Sequence, residues 1–266
     1  MIARALLTFA ALSTIGSAEL VPSGHASAEW ISASGSYEAG KPVQTGIRVV
    51  IEEGWHTYWI NPGEAGSKIS ITWTLPEGWT ASDLGFPAPK RFLTGELPGY
   101  GYEGEVIFPV TLTAPAKASG PVEIGAEISW LTCNDSSCVP GKVALKLALG
   151  GETASVPGNA DAIAKFSALV PKPAAGAKLI VRESAGLLSL SLTLPSSSKI
   201  DPAGSEVFPV TLQAIDYYKP LRFEKTGPTW SASVKKNEYA EGDLKELKLV
   251  LAKKGAPPVE VAWKVP

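Results

Sequence analysis

Apolar and polar residues alternate through most of this chain. Ile69, Ile71, Trp73 and Leu75 are separated by Ser70, Thr72 and Thr74. Val122, Ile124, Ala126, Ile128 and Trp130 alternate with Glu123, Gly125, Glu127 and Ser129, and Val143, Leu145, Leu147 and Leu149 follow the same rule. A strand sends successive side chains to opposite faces, so a period of two marks one buried and one wet face. Stacking two such sheets buries both apolar faces at once. The second half repeats the pattern at Leu188, Leu190, Leu192 and Leu194, at Leu247, Leu249 and Leu251, and at Val259, Val261, Trp263 and Val265. The chain is therefore expected to be all-β. One segment departs from this rule. Asn159 to Val170 reads as a helix capped by Asn159 or Asp161, with Ile163, Phe166 and Leu169 or Val170 on one face and Pro171 as its stop. Its apolar stripe is expected to pack on a domain.

The two halves also echo each other in sequence. Phe108-Pro-Val-Thr-Leu112 recurs as Phe208-Pro-Val-Thr-Leu212, with Glu-Val just before each copy and Thr-Leu-Pro upstream at Thr74–Pro76 and Thr193–Pro195. The order and context of the matches point to a degenerate duplication of one β-sandwich. Between the paired motifs the first copy carries a longer insertion, 77–107, rich in Gly and in the aromatics Trp79, Phe86, Phe92, Tyr100 and Tyr102. Both cysteines lie in the first copy as well. Long loops on a rigid sandwich are where binding and chemistry concentrate, so the site belongs to the first domain. The expected division is a leader over 1–28, a first sandwich over 29–152, a helical linker over 153–177 with Lys172 to Lys178 as a flexible lead, and a second sandwich over 178–266.

The leader follows from the first residues. Arg4 gives a positive start, Ala5 to Ile15 form an apolar run, and small residues offer cleavage after Ala18 or after Ala28. That combination describes a secretory signal peptide, and the run is shorter than the roughly 20 residues a membrane span needs. No later stretch is long and apolar enough to span, so the mature protein is expected to be exported, soluble and free of membrane insertion. With 24 Lys and Arg against 26 Asp and Glu and no basic run, nucleic acid is not an expected partner. Hydrophobic residues at 45% exclude a disordered chain.

Two cysteines in an exported chain lead to the expectation of a disulfide. Cys133-Asn-Asp-Ser-Ser-Cys138 sits in a tight connection between two strands. Spacing alone leaves two readings open. As a structural clip, so short a loop contributes only about 2 kcal/mol, against about 4.7 for a 100-residue loop. As a reversible dithiol, the pair lies at the surface, where a partner thiolate can attack one sulfur and the other can resolve the mixed disulfide. No Lys, Arg or His lies between the cysteines, and Asp135 opposes thiolate formation, so the pair reads as one attacked by a more reactive partner thiol. His25 is expected to leave with the leader or to lie in its flank, and His56 to be structural. No cofactor or metal is expected. One internal histidine and two cysteines fall short of a zinc set, Met1 is the only methionine to support copper, and no nucleophile-elbow motif appears.

A series of motifs resembles a known family. Gly54-Trp-His-Thr-Tyr-Trp-Ile-Asn-Pro-Gly63, Trp73-Thr-Leu-Pro-Glu-Gly-Trp79, Phe86-Pro-Ala-Pro89, Tyr100-Gly-Tyr-Glu-Gly104 and Trp130-Leu-Thr-Cys133 with Cys138-Val-Pro-Gly141 are similar to the DsbD N-terminal domain family, in particular its stand-alone, ScsB-like branch. The likeness covers roughly 30–150, and the second half fits that branch only loosely. It implies an immunoglobulin-like periplasmic domain passing reducing equivalents between a membrane-embedded thiol reductase and oxidised, thioredoxin-like periplasmic proteins. It implies that Cys138 forms the mixed disulfides and that Cys133 resolves them. It also implies a mobile cap within 91–105, with Phe92, Tyr100 or Tyr102 over the sulfurs and Tyr58 beside them. The chain departs from the best-known members in having one residue fewer between its cysteines. Of their acidic cap pair, only Glu96 and Glu103 are candidates. It has no counterpart of their membrane and thioredoxin-like portions, so the reductase is expected to be a separate protein. A second reading is a non-catalytic binding or assembly module with a fixed disulfide. Copper tolerance enters on family analogy alone.

Overall fold

The computed structural model of the protein describes residues 20–150 and 159–265. The signal segment expected up to Ala18 and the boundary stretch 151–158 lie outside the described residues. The first sandwich is built from β1 (Val21–Ser23), β2 (Ala26–Ser32), β3 (Pro42–Ile51), β4 (Thr57–Gly63), β5 (Ser70–Thr74), β6 (Thr80–Ala81), β7 (Lys90–Thr94), β8 (Leu97–Tyr102), β9 (Glu105–Thr113), β10 (Val122–Cys133) and β11 (Cys138–Leu149). One layer has the order β1-β2-β3-β9-β6. The facing layer holds β11-β10-β5 and β4-β8-β7, tied together by a bridge between His56 and Cys133. The alternation read from sequence sets the burial. Ile124, Ala126, Ile128 and Trp130 are buried inside, while Glu123 and Glu127 point to solvent.

The sandwich begins before residue 29. Ala28 lies in the middle of β2, fully buried and paired with Val21 on one side and Val49 on the other. The run Ser23-Gly-His-Ala-Ser-Ala28 hides this strand pair because alanine is too small to stand out as the apolar member of an alternation. His25 is consequently part of the fold. It turns the chain from β1 to β2, stacks on Trp55 with ring centroids 3.8 Å apart, and pairs with Glu52 at 2.8 Å.

Helix α1 (Asn159–Ser167) follows. Its Ile163 is buried against Ile31 and Ile107 on the outer face of β2 and β9, so the helix packs on the first sandwich. The chain then enters β12 (Lys172–Pro173), β13 (Lys178–Ser184), β14 (Leu187–Thr193), β15 (Glu206–Pro209), β16 (Glu224–Thr226), β17 (Thr229–Lys235), β18 (Glu246–Ala252) and β19 (Val259–Lys264). These form two four-stranded sheets, β12-β19-β18-β15 and β13-β14-β17-β16. The lead expected over Lys172 to Lys178 opens with a two-residue parallel edge strand. Lys172 and Pro173 pair with Val259 and Glu260, and the Ala174 N–H donates to the Glu260 carbonyl at 2.8 Å. Proline at an edge sacrifices no ladder bond, which is how so Pro-rich a segment enters a sheet. The protein is thus two immunoglobulin-like β-sandwiches joined by a short helical segment.

The apolar core does not stop at the domain boundary. Phe208, Tyr217 and Val250 of the second sandwich are buried in one continuous cluster with Trp59, Tyr100 and Phe108 of the first.

Candidate functional site: a cystine at a hairpin tip beside a capping hairpin

Strands β10 and β11 run as an antiparallel hairpin from Val122↔Leu149 to Cys133↔Cys138. Its turn is locked by Asn134, whose Oδ1 accepts the N–H groups of Ser136 and Ser137, both at 2.9 Å. Asn commonly closes turns in this way. The backbone N–H and carbonyl of Cys133 are both engaged by His56, the residue before β4, at 3.0 Å each. Toward β11, therefore, Cys133 occupies a non-hydrogen-bonded position, where paired residues stand closest. The Cα atoms of Cys133 and Cys138 are 4.1 Å apart and their sulfurs are joined. The two halves of this bond differ in access. Cys133 is 0% exposed, whereas Cys138 is exposed at the hairpin end.

Residues directly paired across strands project side chains to the same face. His56, Cys133 and Cys138 therefore form a row from the residue before β4 across β10 and β11. The Nε2 of His56 shares a hydrogen bond of 2.9 Å with Thr94 Oγ1, and the Tyr58 hydroxyl reaches the same Thr94 oxygen at 3.3 Å. Thr94 ends β7, so the β7–β8 hairpin lies over this row with its turn, Gly95-Glu96, near Asp135. Phe92 packs on the His56 ring, centroids 3.9 Å apart, and edges onto Tyr58 at 5.7 Å. Burial holds the His56 imidazole below its ordinary pKa, with Glu103 and Asp135 pulling weakly the other way. The ring is neutral at neutral pH. Burial likewise raises the Tyr58 phenol, against a smaller opposing effect of its bond to Thr94.

Of the cap residues expected from sequence, Tyr58 and Phe92 come together beside the cystine row. Tyr100 and Tyr102 do not. In β7 and β8, Phe92 pairs with Gly99, Arg91 with Tyr100, and Lys90 with Gly101. Phe92, Gly99 and Gly101 thus share one face of this ribbon, and Tyr100 and Tyr102 share the other. Tyr100 meets Phe208 and Tyr217 of the second sandwich at 5.6 and 5.8 Å. Tyr102 donates to the Pro87 carbonyl at 2.7 Å and packs on Phe108. The glycines explain the split. A Cβ on Gly99 would lie 2.5 Å from the Phe92 ring, and one on Gly101 would overlap the Thr57 carbonyl. The alternation Gly99-Tyr-Gly-Tyr102 held that signal, since the two tyrosines must share the face the glycines leave. Of the acidic candidates, Glu96 is exposed at the turn and Glu103 pairs with Lys90 at 3.4 Å. His56, expected to be structural, is buried and bonded to Thr94, and an isolated bridge just before β4 sets it beside Cys133.

A cleft of about 680 Å³ opens next to the row, between the Trp55–His56 segment, Phe92 and Leu93 on the hairpin, and Asn134 and Asp135. Leu93 is 58% exposed at its rim. A cleft of similar size, about 690 Å³, lies on β13, β14 and β17 of the second sandwich, far in sequence from both cysteines.

The fold and this cystine hairpin define a thiol–disulfide class of domain. Residues 27–149 match the family described as thiol:disulfide interchange protein DsbD, N-terminal. No curated protein matches the chain. Among solved structures, the N-terminal periplasmic domain of ScsB from Proteus mirabilis is similar, with a TM-score of 0.66 and 21% identity over 91% of this chain and 94% of that one. That likeness extends the fold comparison to both sandwiches. The YadV chaperone, with a TM-score of 0.22 and 10% identity over 89% of this chain and 99% of its own, carries no argument. Among the described residues no helix is long and apolar enough to cross a membrane.

Proposed function

We propose that the protein is an exported thiol–disulfide exchange protein, with Cys138 as the partner-facing sulfur and Cys133 as the resolving one. The observation that carries this reading is the asymmetry of the bond, in which Cys133 is fully buried and Cys138 is exposed. In the reduced protein the Cys138 thiolate attacks a disulfide sulfur of an oxidised, thioredoxin-like partner. The partner's S–S bond breaks and one of its sulfurs leaves as a thiolate. The Cys133 thiolate then attacks Cys138 Sγ, the partner's sulfur departs with the electron pair of the mixed disulfide, and the Cys133–Cys138 bond forms again. Two electrons have moved to the partner. The dithiol of a separate membrane-embedded reductase restores the reduced state by the reverse sequence. His56, neutral and in the same row, is the acceptor for the Cys133 proton. The β7–β8 hairpin, packed on His56 beside the buried Cys133, is the element we assign to move when a partner engages the pair. Export places the chain in the periplasm, and we assign cleavage to Ala18, because a cut after Ala28 would remove β1 and half of β2.

The test is mixed-disulfide trapping with an oxidised thioredoxin-like protein. Cys133→Ser is expected to accumulate a covalent complex, having lost the resolving thiol, and Cys138→Ser to form none. Trapping by the Cys138→Ser variant would remove Cys138 from its role. Absence of trapping by either variant would make the bond a structural clip and the protein a binding or assembly module.

A further inference from the structure

The second sandwich holds no cysteine, yet it touches each strand of the small sheet that carries the cap. From β4, the fully buried Asn61 donates through Nδ2 to the Pro209 carbonyl at 2.9 Å, with the Thr211 carbonyl and the Tyr217 hydroxyl each at 3.3 Å. Its Oδ1 accepts the Gly63 N–H at 3.1 Å, so both ends of the amide are satisfied. From β8, Tyr100 is 1% exposed and lies edge-on between Phe208 and Tyr217. From β7, Arg91 Nη1 donates to the Tyr217 carbonyl at 2.9 Å, and its guanidinium sits 4.9 Å from the Tyr100 ring centroid.

The tip of the same hairpin is held differently. Among the described residues, its side-chain hydrogen bonds to the site run through Thr94, to His56 and Tyr58. Gly95, Glu96 and Leu97 are exposed. One face of the ribbon packs on His56 and Tyr58 beside the cystine and the other is bolted to the second sandwich, with the period of two dividing the labour. The root is fixed by buried aromatic contacts and a charge-assisted hydrogen bond, which are stronger than two hydroxyl bonds near solvent. Any motion that uncovers the row must hinge between Arg91 and Thr94 while the root stays on the second sandwich.

We propose that the second sandwich is the fixed wall against which the cap works, and that Arg91 is the positioning residue that sets how often the cap exposes the Cys133–Cys138 bond. This rests on the hairpin packing on His56 beside the buried Cys133, and on the proposed role of the bond, but not on the identity of any partner. With the Arg91 anchor removed, the root is released and the tip samples open positions more often. The bond then meets small thiols more readily.

The experiment is the rate at which dithiothreitol reduces the disulfide in the full chain, measured beside the urea unfolding midpoint. Arg91→Met keeps the apolar stem and removes the charge and the donor. It is expected to raise the reduction rate on the order of tenfold, the scale of one lost hydrogen bond to a charged donor. Arg91→Lys, which keeps a donor and a cation over Tyr100, is expected to bring the rate back close to wild type. Glu64→Ala serves as the control. It removes the 3.5 Å contact of Glu64 Oε1 with the Asn237 amide elsewhere in the same interface, and it is expected to leave the rate unchanged. An Arg91→Met rate equal to wild type overturns the proposal, and so does equal acceleration by Arg91→Met and Glu64→Ala, which would mean general loosening of the interface. Because a small thiol reads access to the bond directly, a failure here is distinct from a failure of partner trapping.

Discussion

The two copies of Phe-Pro-Val-Thr-Leu begin alike and end differently. In the first, Phe108 is fully buried and β9 runs on through Pro109 to Thr113, paired along its length with β3. In the second, Phe208 is equally buried, but β15 stops at Pro209 and Leu212 is 60% exposed. The chain then turns through Gln213, whose φ is 51°, and brings Tyr217 back against Asn61. The partners of the two rings complete the contrast. Phe108 meets Tyr102, and Phe208 meets Tyr100, so both phenylalanines pack against the same strand, β8. One copy builds the sandwich that carries the cystine, while the other has turned its corresponding phenylalanine outward to support that sandwich from behind. The second sandwich has its own core, and where β15 stops at Pro209 it packs against the first.

The comparison breaks most visibly if the two phenylalanines are truncated. Deleting a fully buried Phe side chain costs about 3–5 kcal/mol. Phe108→Ala is expected to lose this from the first sandwich and to lower the midpoint of urea unfolding followed by tryptophan fluorescence. Phe208→Ala is expected to lose a similar amount but to act on cooperativity, splitting one transition into two as the shared core is cut. A single unshifted transition in Phe208→Ala would mean that the sandwiches do not share a core.

A smaller effect tests the polar half of the same contact. Asn61→Ala leaves the Pro209 carbonyl without its donor in a buried setting, a penalty of about 1–3 kcal/mol. The expected result is a lower unfolding midpoint together with faster hydrogen exchange at the amides of 211–217. Loss of stability without increased exchange there would place the role of Asn61 in the local turn at Gly63 rather than in holding the second sandwich.

How legible this was from sequence depends on distance along the chain. The alternations at Val122–Trp130, Val143–Leu149 and Leu188–Leu192 marked their strands, because period-two burial is a local property. Strands β1 and β2 were hidden by Ala26 and Ala28, whose burial removes little apolar area and leaves a weak trace. Cys133 and Cys138 were legible as a pair since the turn joining them is short. Of the three aromatics the resemblance offered for the cap, Phe92 faces His56 while Tyr100 and Tyr102 face the other way, a division that follows only once the insertion is read as a ribbon with a period of two. Asn61 sits in Asn-Pro-Gly, which reads as a turn, and its partners lie about 150 residues away. His56 and Cys133 meet through an isolated bridge between segments about 77 residues apart. Such non-local pairings leave no mark in a single sequence.

The smallest effect separates the two sandwiches by pH alone. Both histidines, His25 and His56, belong to the first sandwich, and the second contains none. Burial holds the folded pKa of His56 below its unfolded value near 6.5. As pH falls below that value, the unfolded chain takes up a proton that the folded chain refuses. Stability therefore declines on acidification between the unfolded and the depressed folded pKa, and this loss levels off below the latter. Glu103 and Asp135 favour the protonated ring and moderate the depression. His56→Gln is expected to flatten the fall in the urea midpoint between pH 7.5 and 5.5, and Glu103→Gln to steepen it slightly in the protein that keeps His56. Carboxylates titrating in both sandwiches add a slope of their own, which the paired variants cancel. An identical pH dependence with and without the imidazole would place the ring in contact with water. The Thr94 bond and Phe92 would then not form the closed cap that distinguishes the first sandwich from the second.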